Sequence, residues 1–289
     1  MKIKNAIAIS VALFLFSCQK DRDWLDYSPI DMYSATIEYD DSQASKFLNV
    51  AAVSIQVSKN DKVETLNSMK TMVEKIKTEH SEVQVIVFGE LILEWYYDDE
   101  LKSDYQRNMS EVIPGPSSSF IKNLAIQNNV NIVFGLTELD SITQKLYNTQ
   151  LLVKPTGQIV KYRKRNLNQT DIDNDFYSGN ELVTDEIEGV KVALFICSDM
   201  QSDEVTDDLT SAKVDVVLHS LTSTTDMNPS ISYVGMQLNT WIVFANRYGN
   251  EGIFDYTGFT HIISPVGSII ERTIGKNTYV YRKLGILEK

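Results

Sequence analysis

Three residues able to make and break bonds to carbon stand at the ends of apolar runs in this chain. Glu90 follows Val-Ile-Val-Phe-Gly, Lys164 follows Ile-Val-Lys-Tyr-Arg, and Cys197 follows Val-Ala-Leu-Phe-Ile. A carboxylate can take a thiol proton, a thiolate can attack a carbonyl, and an ammonium can hold the oxyanion that results. Each residue alone has an ordinary explanation: a strand-end cysteine is commonly a small buried hydrophobe, Glu90 a surface carboxylate, and Lys164 a solvated member of the basic run from Lys161 to Arg165. Together they make a different case. A carboxylate and an ammonium at strand ends are costly unless paired, and a Glu90–Lys164 contact would satisfy both and leave them poised beside a third group. Cys197-Ser-Asp lies at a strand-to-turn junction ahead of Ser202-Asp-Glu, which reads as a helix start. A nearby ammonium and a helix N-terminus both lower a thiol from its usual pKa of ~8.5. His80, His219 and His261 sit in no pattern tied to Cys197 and read as structural or surface residues. No His/Cys group has zinc spacing, and no Gly-rich loop of phosphate-binding type follows a strand.

The elements that must position these residues are short apolar runs alternating with amphipathic segments. Val50 to Val57, Val83 to Phe88, Asn131 to Leu136, Val190 to Ile196 and Val214 to Leu218 read as buried strands. Leu66, Met69, Val73 and Ile76 mark one helix, and Phe120, Ile121, Leu124 and Asn128 mark another after the Pro114-Gly115-Pro116 turn. Tyr147 to Lys154 and Gln158 to Lys164 flank Pro155-Thr-Gly and read as a strand pair folded back on itself; Thr260 to Ser264 and Ser268 to Arg272 do the same around Pro265-Val-Gly. The pattern predicts a mixed-sheet α/β domain, with ligands at strand ends.

The length of 289 residues, with 43% hydrophobic and 23% charged residues, suits one globular catalytic domain. At the N-terminus, Lys2 and Lys4 precede an apolar run from Ala6 to Phe16 and then Ser17-Cys18. That is a signal-peptide layout, and eleven apolar residues rise only about 16 Å as a helix, too little to span a bilayer. Leu15 to Cys18 resembles the lipobox of bacterial lipoproteins. The expectation is therefore a signal peptide over 1–17, lipidation at Cys18, an acidic tether over 18–46 and a catalytic domain over 47–289. Gln19 to Asp23 further resembles the short signal that directs some lipoproteins to the cell surface, so the expected address is the bacterial outer membrane. The net charge of −12 becomes two units more negative once Lys2 and Lys4 are removed. Such acidity disfavours nucleic acid and any basic membrane-binding face, leaving the lipid on Cys18 as the membrane contact.

The order Glu, Lys, Cys with its local sequences resembles the nitrilase or carbon–nitrogen hydrolase superfamily from about Asn49 to Ser268. The family's Phe-Pro-Glu block is similar to Phe88-Gly-Glu90, and its Tyr-Arg-Lys-x-x-Leu block to Tyr162-Arg-Lys-Arg-Asn-Leu167 after Tyr147-Asn148. Its Cys-Tyr-Asp-x-x-Phe-Pro-Glu block aligns with Cys197-Ser-Asp-Met-Gln-Ser-Asp-Glu204. Ile113-Pro-Gly-Pro, Phe134-Gly-Leu-Thr-Glu, Ala245-Asn-Arg-Tyr-Gly and Ser264-Pro-Val-Gly resemble further signatures in the family's order. There are departures: Gly89 and Asp203 stand where the family has proline, Ser198 where it has tyrosine, and Ser178-Gly179 replaces a Pro-Gly pair that follows a second glutamate. Of Asp171, Asp173 and Asp175, Asp173 is the choice for that auxiliary acid.

The resemblance implies a four-layer α-β-β-α sandwich that forms a homodimer, and a small-molecule amide substrate, and it implies no metal or organic cofactor. Glu90 is then the base, Cys197 the nucleophile, and Lys164 with the backbone N–H of Ser198 the oxyanion site. Carbamoylated amines and nitriles are the alternative substrates within the superfamily, and a catalytically inactive ligand-binding lipoprotein is the alternative outside enzymology. Trp95, Tyr96 and Tyr97, close after Glu90, are expected to line the pocket.

Overall fold

The computed structural model describes residues 38–226 and 235–288. The expected signal segment, Cys18, most of the tether and part of the 221–232 loop lie outside the described residues. Strands β1 (Lys46–Ser54), β2 (Val85–Val87), β3 (Asn131–Leu139), β4 (Leu146–Val153), β5 (Ile159–Arg163) and β14 (Thr278–Ile286) form one sheet in the order β14-β1-β2-β3-β4-β5. Strands β6 (Thr184–Ile187), β7 (Val190–Ile196), β8 (Val216–Ser220), β9 (Trp241–Ala245), β12 (Thr260–Ile263) and β13 (Ile269–Thr273) form a second, in the order β13-β12-β9-β8-β7-β6. A separate hairpin pairs β10 (Tyr248–Glu251) with β11 (Phe254–Thr257).

Both sheets are mixed, for the same reason. Their centres, β1-β2-β3 and β7-β8-β9, are parallel and need crossover segments, whereas their flanks are antiparallel. Short connections join β3–β4, β4–β5, β6–β7 and β12–β13, the β10–β11 hairpin lies between β9 and β12, and β14 returns from the far end of the sequence to β1. The turns at Pro155-Thr-Gly and Pro265-Val-Gly close the β4–β5 and β12–β13 pairs, as their sequences predicted. Gly157 and Gly267 take the positive φ that these turns require.

Burial on both faces explains why the central strands read as continuous apolar runs. In β1, Val50 and Ala52 face the second sheet, while Ala51 and Val53 face helices; Val85 and Val87 against Ile86 do the same in β2. The helical layer over the first sheet is α1 (Lys62–Glu79) and α3 (Pro116–Asn128). Asp61 caps α1 by accepting from the Glu64 N–H at 2.8 Å, and Leu66, Met69, Val73 and Ile76 form its buried stripe. Each such side chain contributes about 1.5–3 kcal/mol on burial. Over the second sheet, α5 (Asp203–Ala212) buries Val205 and Leu209. The result is the α-β-β-α layering expected of the sequence. Two short helices, α2 (Ser103–Met109) and α4 (Gln169–Asp173), sit in the connections near the strand ends.

Candidate active site

Glu90, Lys164 and Cys197 come from the ends of β2, β5 and β7, and the packing of one sheet on the other carries these ends to one place. A buried amide stitches the sheets together there: Gln150 of β4 donates to the Leu218 carbonyl and to Ser220 Oγ, and accepts from the Phe195 N–H. Ser220 in turn donates to the Phe88 carbonyl at 2.7 Å, tying the end of β8 to the end of β2.

Lys164 and Glu90 are fully buried. The Lys164 ammonium lies 2.8 Å from Glu90 Oε1 and 2.7 Å from Asp171 Oδ2. Burial opposes the charge on Lys164, but the carboxylates of Asp171 and Glu90 beside it prevail and hold the group well above the usual lysine range. It is a fixed cation at any physiological pH. Asn148 bridges the two carboxylates, donating to Glu90 Oε1 at 2.7 Å and to Asp171 Oδ1 at 3.2 Å. Glu90 Oε2, by contrast, is buried and accepts no hydrogen bond from any described residue.

Cys197 is 8% exposed and has φ +42°, a left-handed conformation that costs a non-glycine residue of order 1–3 kcal/mol. It ends the β7 run and opens a 3-10 turn over Cys197–Gln201, so the chain bends sharply at the sulfur-bearing residue. Asp199 holds this bend. Its carboxylate accepts from the Ile196 N–H at 3.0 Å and the Tyr162 hydroxyl at 2.7 Å, and from the N–H groups of Arg165 and Asn166 at 3.1 and 2.8 Å. One buried aspartate thus fastens the cysteine turn to the segment that follows Lys164. Burial raises its carboxyl to about 6, against the donors that favour its charge. Ser198 adds a second fastening, donating to the Asn166 carbonyl at 2.6 Å while its own carbonyl accepts from Asn166 Nδ2 at 2.6 Å. His219 Nε2 donates to the Cys197 carbonyl at 3.3 Å, a bond that fixes the tautomer because a carbonyl only accepts. Burial pushes this imidazole down to about 3, so it is neutral. A structural role for His219 agrees with the sequence; its contact with the Cys197 backbone carried no sequence signal.

The auxiliary acid requires a correction. Asp173 is exposed and accepts from Gln169 Nε2, whereas Asp171 is fully buried on Lys164. Positions two apart on a helix differ by roughly 200° around its axis, so only one of them can face inward. Asp171 is also the third residue of a capping box: its carboxylate accepts from the Asn168 N–H at 3.0 Å, and Asn168 Oδ1 accepts from the Asp171 N–H. The Asn168-x-x-Asp171 spacing marks a helix start but does not say which acid meets Lys164. Tyr96 completes this corner by donating its hydroxyl to Asp171 Oδ1 at 3.1 Å. Of the expected aromatic lining, Tyr96 is buried, while Trp95 lies under the Lys59 ammonium and Tyr97 packs against Phe254.

The departures at Gly89 and Asp203 have local explanations. A Cβ on Gly89 would lie 3.2–3.3 Å from backbone atoms of Leu221, Asn246 and Arg247, so the strand end passes tightly against two other segments. Asp203 opens α5 behind the Ser202 cap, a first-turn site that suits an acidic residue as well as proline.

The fold has counterparts in known proteins. The carbon-nitrogen hydrolase family matches residues 49–283. An omega-amidase of Saccharomyces cerevisiae is 30% identical over 175 residues, covering 56% of this chain and 58% of that protein, so the match spans less than two thirds of the relative's length. An (R)-stereoselective amidase of a Pseudomonas species is 25% identical over 168 residues, 56% of this chain and 60% of the relative. Among solved structures, a nitrilase-superfamily protein of S. cerevisiae superposes with a TM-score of 0.74 at 20% identity, over 84% of this chain and 91% of its own. An amidase from Nesterenkonia gives 0.71 at 14% identity, over 83% and 91%. At such identities the superpositions speak for the fold.

Proposed function

Since this chain belongs to the carbon-nitrogen hydrolase family, we propose that it is a thiol hydrolase that cleaves the non-peptide C–N bond of a small amide. The observation that carries the reading is the buried Lys164 ammonium clamped between Glu90 and Asp171, with Glu90 Oε2 left unbonded by its described neighbours and Cys197 close enough to act electrostatically on the lysine. Glu90 takes the thiol proton, and the Cys197 sulfur adds to the amide carbonyl carbon. The oxygen becomes an oxyanion held by Lys164 and the Ser198 N–H. Glu90 returns the proton to the departing nitrogen, the C–N bond breaks, and a thioester remains. Glu90 then takes a proton from water, whose oxygen attacks the thioester; the acid leaves and the thiol is regenerated. Lys164 stays protonated throughout, because Asp171 remains paired with it while the proton comes and goes on Glu90. Asp171 acts through Lys164 rather than on substrate.

The same reading extends to the chain's address and assembly. Residues 1–17 are the signal peptide, Cys18 carries the lipid, and the residues up to 46 tether the domain to the outer membrane, where it acts as a homodimer.

Ammonia release by the purified domain, measured against a panel of amides, carbamoyl amines and nitriles with Cys197→Ala as control, tests the proposal. Turnover lost in the control is expected and names the substrate class. A silent panel together with a Cys197 inert to iodoacetamide would overturn the proposal in favour of a ligand-binding protein.

A further inference from the structure

A second buried charge cluster lies against the backbone of Glu90, whose side chain meets Lys164, and the mechanism above does not use it. Arg247, two residues beyond β9, is fully buried. Its Nη1 donates to the carbonyls of Glu90 and Leu91 at 3.3 and 3.2 Å; its Nη2 donates to the Glu94 carbonyl at 2.6 Å and lies 2.7 Å from Glu251 Oε1. Leu91 has φ +44°, so the base stands on a turn whose next residue is left-handed, and three carbonyls of that turn converge on one guanidinium. Only a planar, multi-donor cation can satisfy such a set. Glu251 continues the connection: its Oε2 accepts from the Tyr96 N–H at 3.1 Å, and the Tyr96 hydroxyl reaches Asp171. An unbroken chain of contacts therefore runs from the backbone of Glu90 through Arg247, Glu251 and Tyr96 to the second carboxylate on Lys164.

We infer that Arg247 and Glu251 are a positioning pair for this site: ionised Glu251 holds the guanidinium against the Glu90 turn and, through Tyr96, keeps Asp171 on Lys164. The inference rests on the thiol-hydrolase reading of the same site. The groups facing Glu251 are Arg247, Glu94, Tyr105 and the Tyr96 N–H, with Lys62 3.9 Å from Glu94 Oε2 and the Tyr256 ring 5.4 Å from the guanidinium. The guanidinium pairs with the Glu251 carboxylate, whereas from Glu94 it takes the backbone carbonyl, and the Glu94 carboxylate lies by Lys62 and the Thr137 N–H. Burial raises Glu251 to about 7 and raises Glu94 as well, despite the opposing pull of Arg247 on the first and Lys62 on the second. Protonation of Glu251 therefore falls within the working range. Proton loss ionises Glu251, so the positioned state is favoured as pH rises through that value.

The test is the Glu251→Gln variant, which keeps the shape and removes the charge, read on kcat and KM from pH 5.5 to 8.5. Expected are a KM within about threefold of wild type, a kcat lowered about tenfold or more at pH 8, and loss of the rise near pH 7 that the wild type shows. Arg247→Lys should lower kcat in the same way, since one ammonium cannot span the acceptors; if it does not fold, Glu251→Gln decides alone. Wild-type turnover with an unchanged Glu251→Gln profile overturns the positioning pair and leaves the hydrolase standing. If no amide is turned over, the same comparison is read on the rate of Cys197 alkylation by iodoacetamide; a wild type inert to both overturns pair and hydrolase together.

Discussion

Replacing Asp171 by asparagine while using Asp173→Asn as its partner separates two acidic residues that sequence alone cannot rank. Asp171 accepts four donors: Lys164 at 2.7 Å and the Asn168 N–H at 3.0 Å on Oδ2, and the Tyr96 hydroxyl at 3.1 Å and Asn148 Nδ2 at 3.2 Å on Oδ1. An asparagine offers one oxygen. The least costly orientation turns it toward Lys164, leaves the amide nitrogen to a reversed Tyr96 hydroxyl, and strands the Asn148 amide. The loss of one charged hydrogen bond costs about 1.5–3 kcal/mol. In a domain of this size that lowers Tm by roughly 3–12 °C. The ammonium, now paired only with Glu90, drifts from the oxyanion position, and a misplacement near 1 Å costs about 10²-fold in rate. Asp173→Asn, on an exposed side chain, should stay within about 0.5 kcal/mol and keep wild-type turnover. Urea unfolding and ammonia release on both variants provide the measurement. If the two variants behave alike in both assays, the clamp on Lys164 is not what organises the site.

Two further outcomes follow from the packing and the buried groups. A Cβ on Gly135 would come 2.4 Å from the Leu91 nitrogen and 3.1 Å from the Glu90 carbonyl carbon, so Gly135→Ala must push the base's turn outward. It should cost about 1–3 kcal/mol in unfolding free energy and lower kcat on the order of 10²-fold; unchanged kcat would show that the turn yields freely. On pH, the buried carboxyls of Asp199 and Glu251 are raised from 3.8 and 4.5 to about 6 and about 7. The folded state therefore holds their protons longer than the unfolded state, and stability is lost as pH rises through those windows. His219 is lowered from 6.5 to about 3, so its contribution is full above 6.5 and lost as pH falls. Unfolding free energies at pH 5 and 7.5 should show a smaller pH-driven loss in Glu251→Gln than in wild type, by about 1.4 kcal/mol per pH unit of the window removed. Equal losses would place Glu251 outside the titrating set.

The fold was legible where one strand is buried on both faces and where a turn is local. Val190 to Ile196 is a strand with those same bounds, and both Pro-x-Gly turns close antiparallel pairs. The pairing of β14 with β1 joins residues more than two hundred positions apart, and no local pattern encodes it. Within the site, each residue that ends an apolar run could be picked out, since a polar side chain there interrupts a strong signal. What could not be read are the contacts that orient those residues. Asp171 looks like any acid in an acidic stretch until helix phase sets it inward. Gly135 looks like a strand interruption until the Glu90 turn lies on it. Arg247 is one residue of a family signature, and only the folded chain shows three carbonyls of the Glu90 turn meeting on its guanidinium. Cys197, Glu90 and Lys164 are side-chain identities legible one by one, whereas their aim depends on backbone held from several distant segments. That division explains why Gly89 and Ser198 can differ from the family pattern without dismantling the site. The Glu90 turn is held by Gly135 on one side and Arg247 on another, and the Cys197 turn by Asp199, Asn166 and His219, so no single neighbour carries the geometry alone.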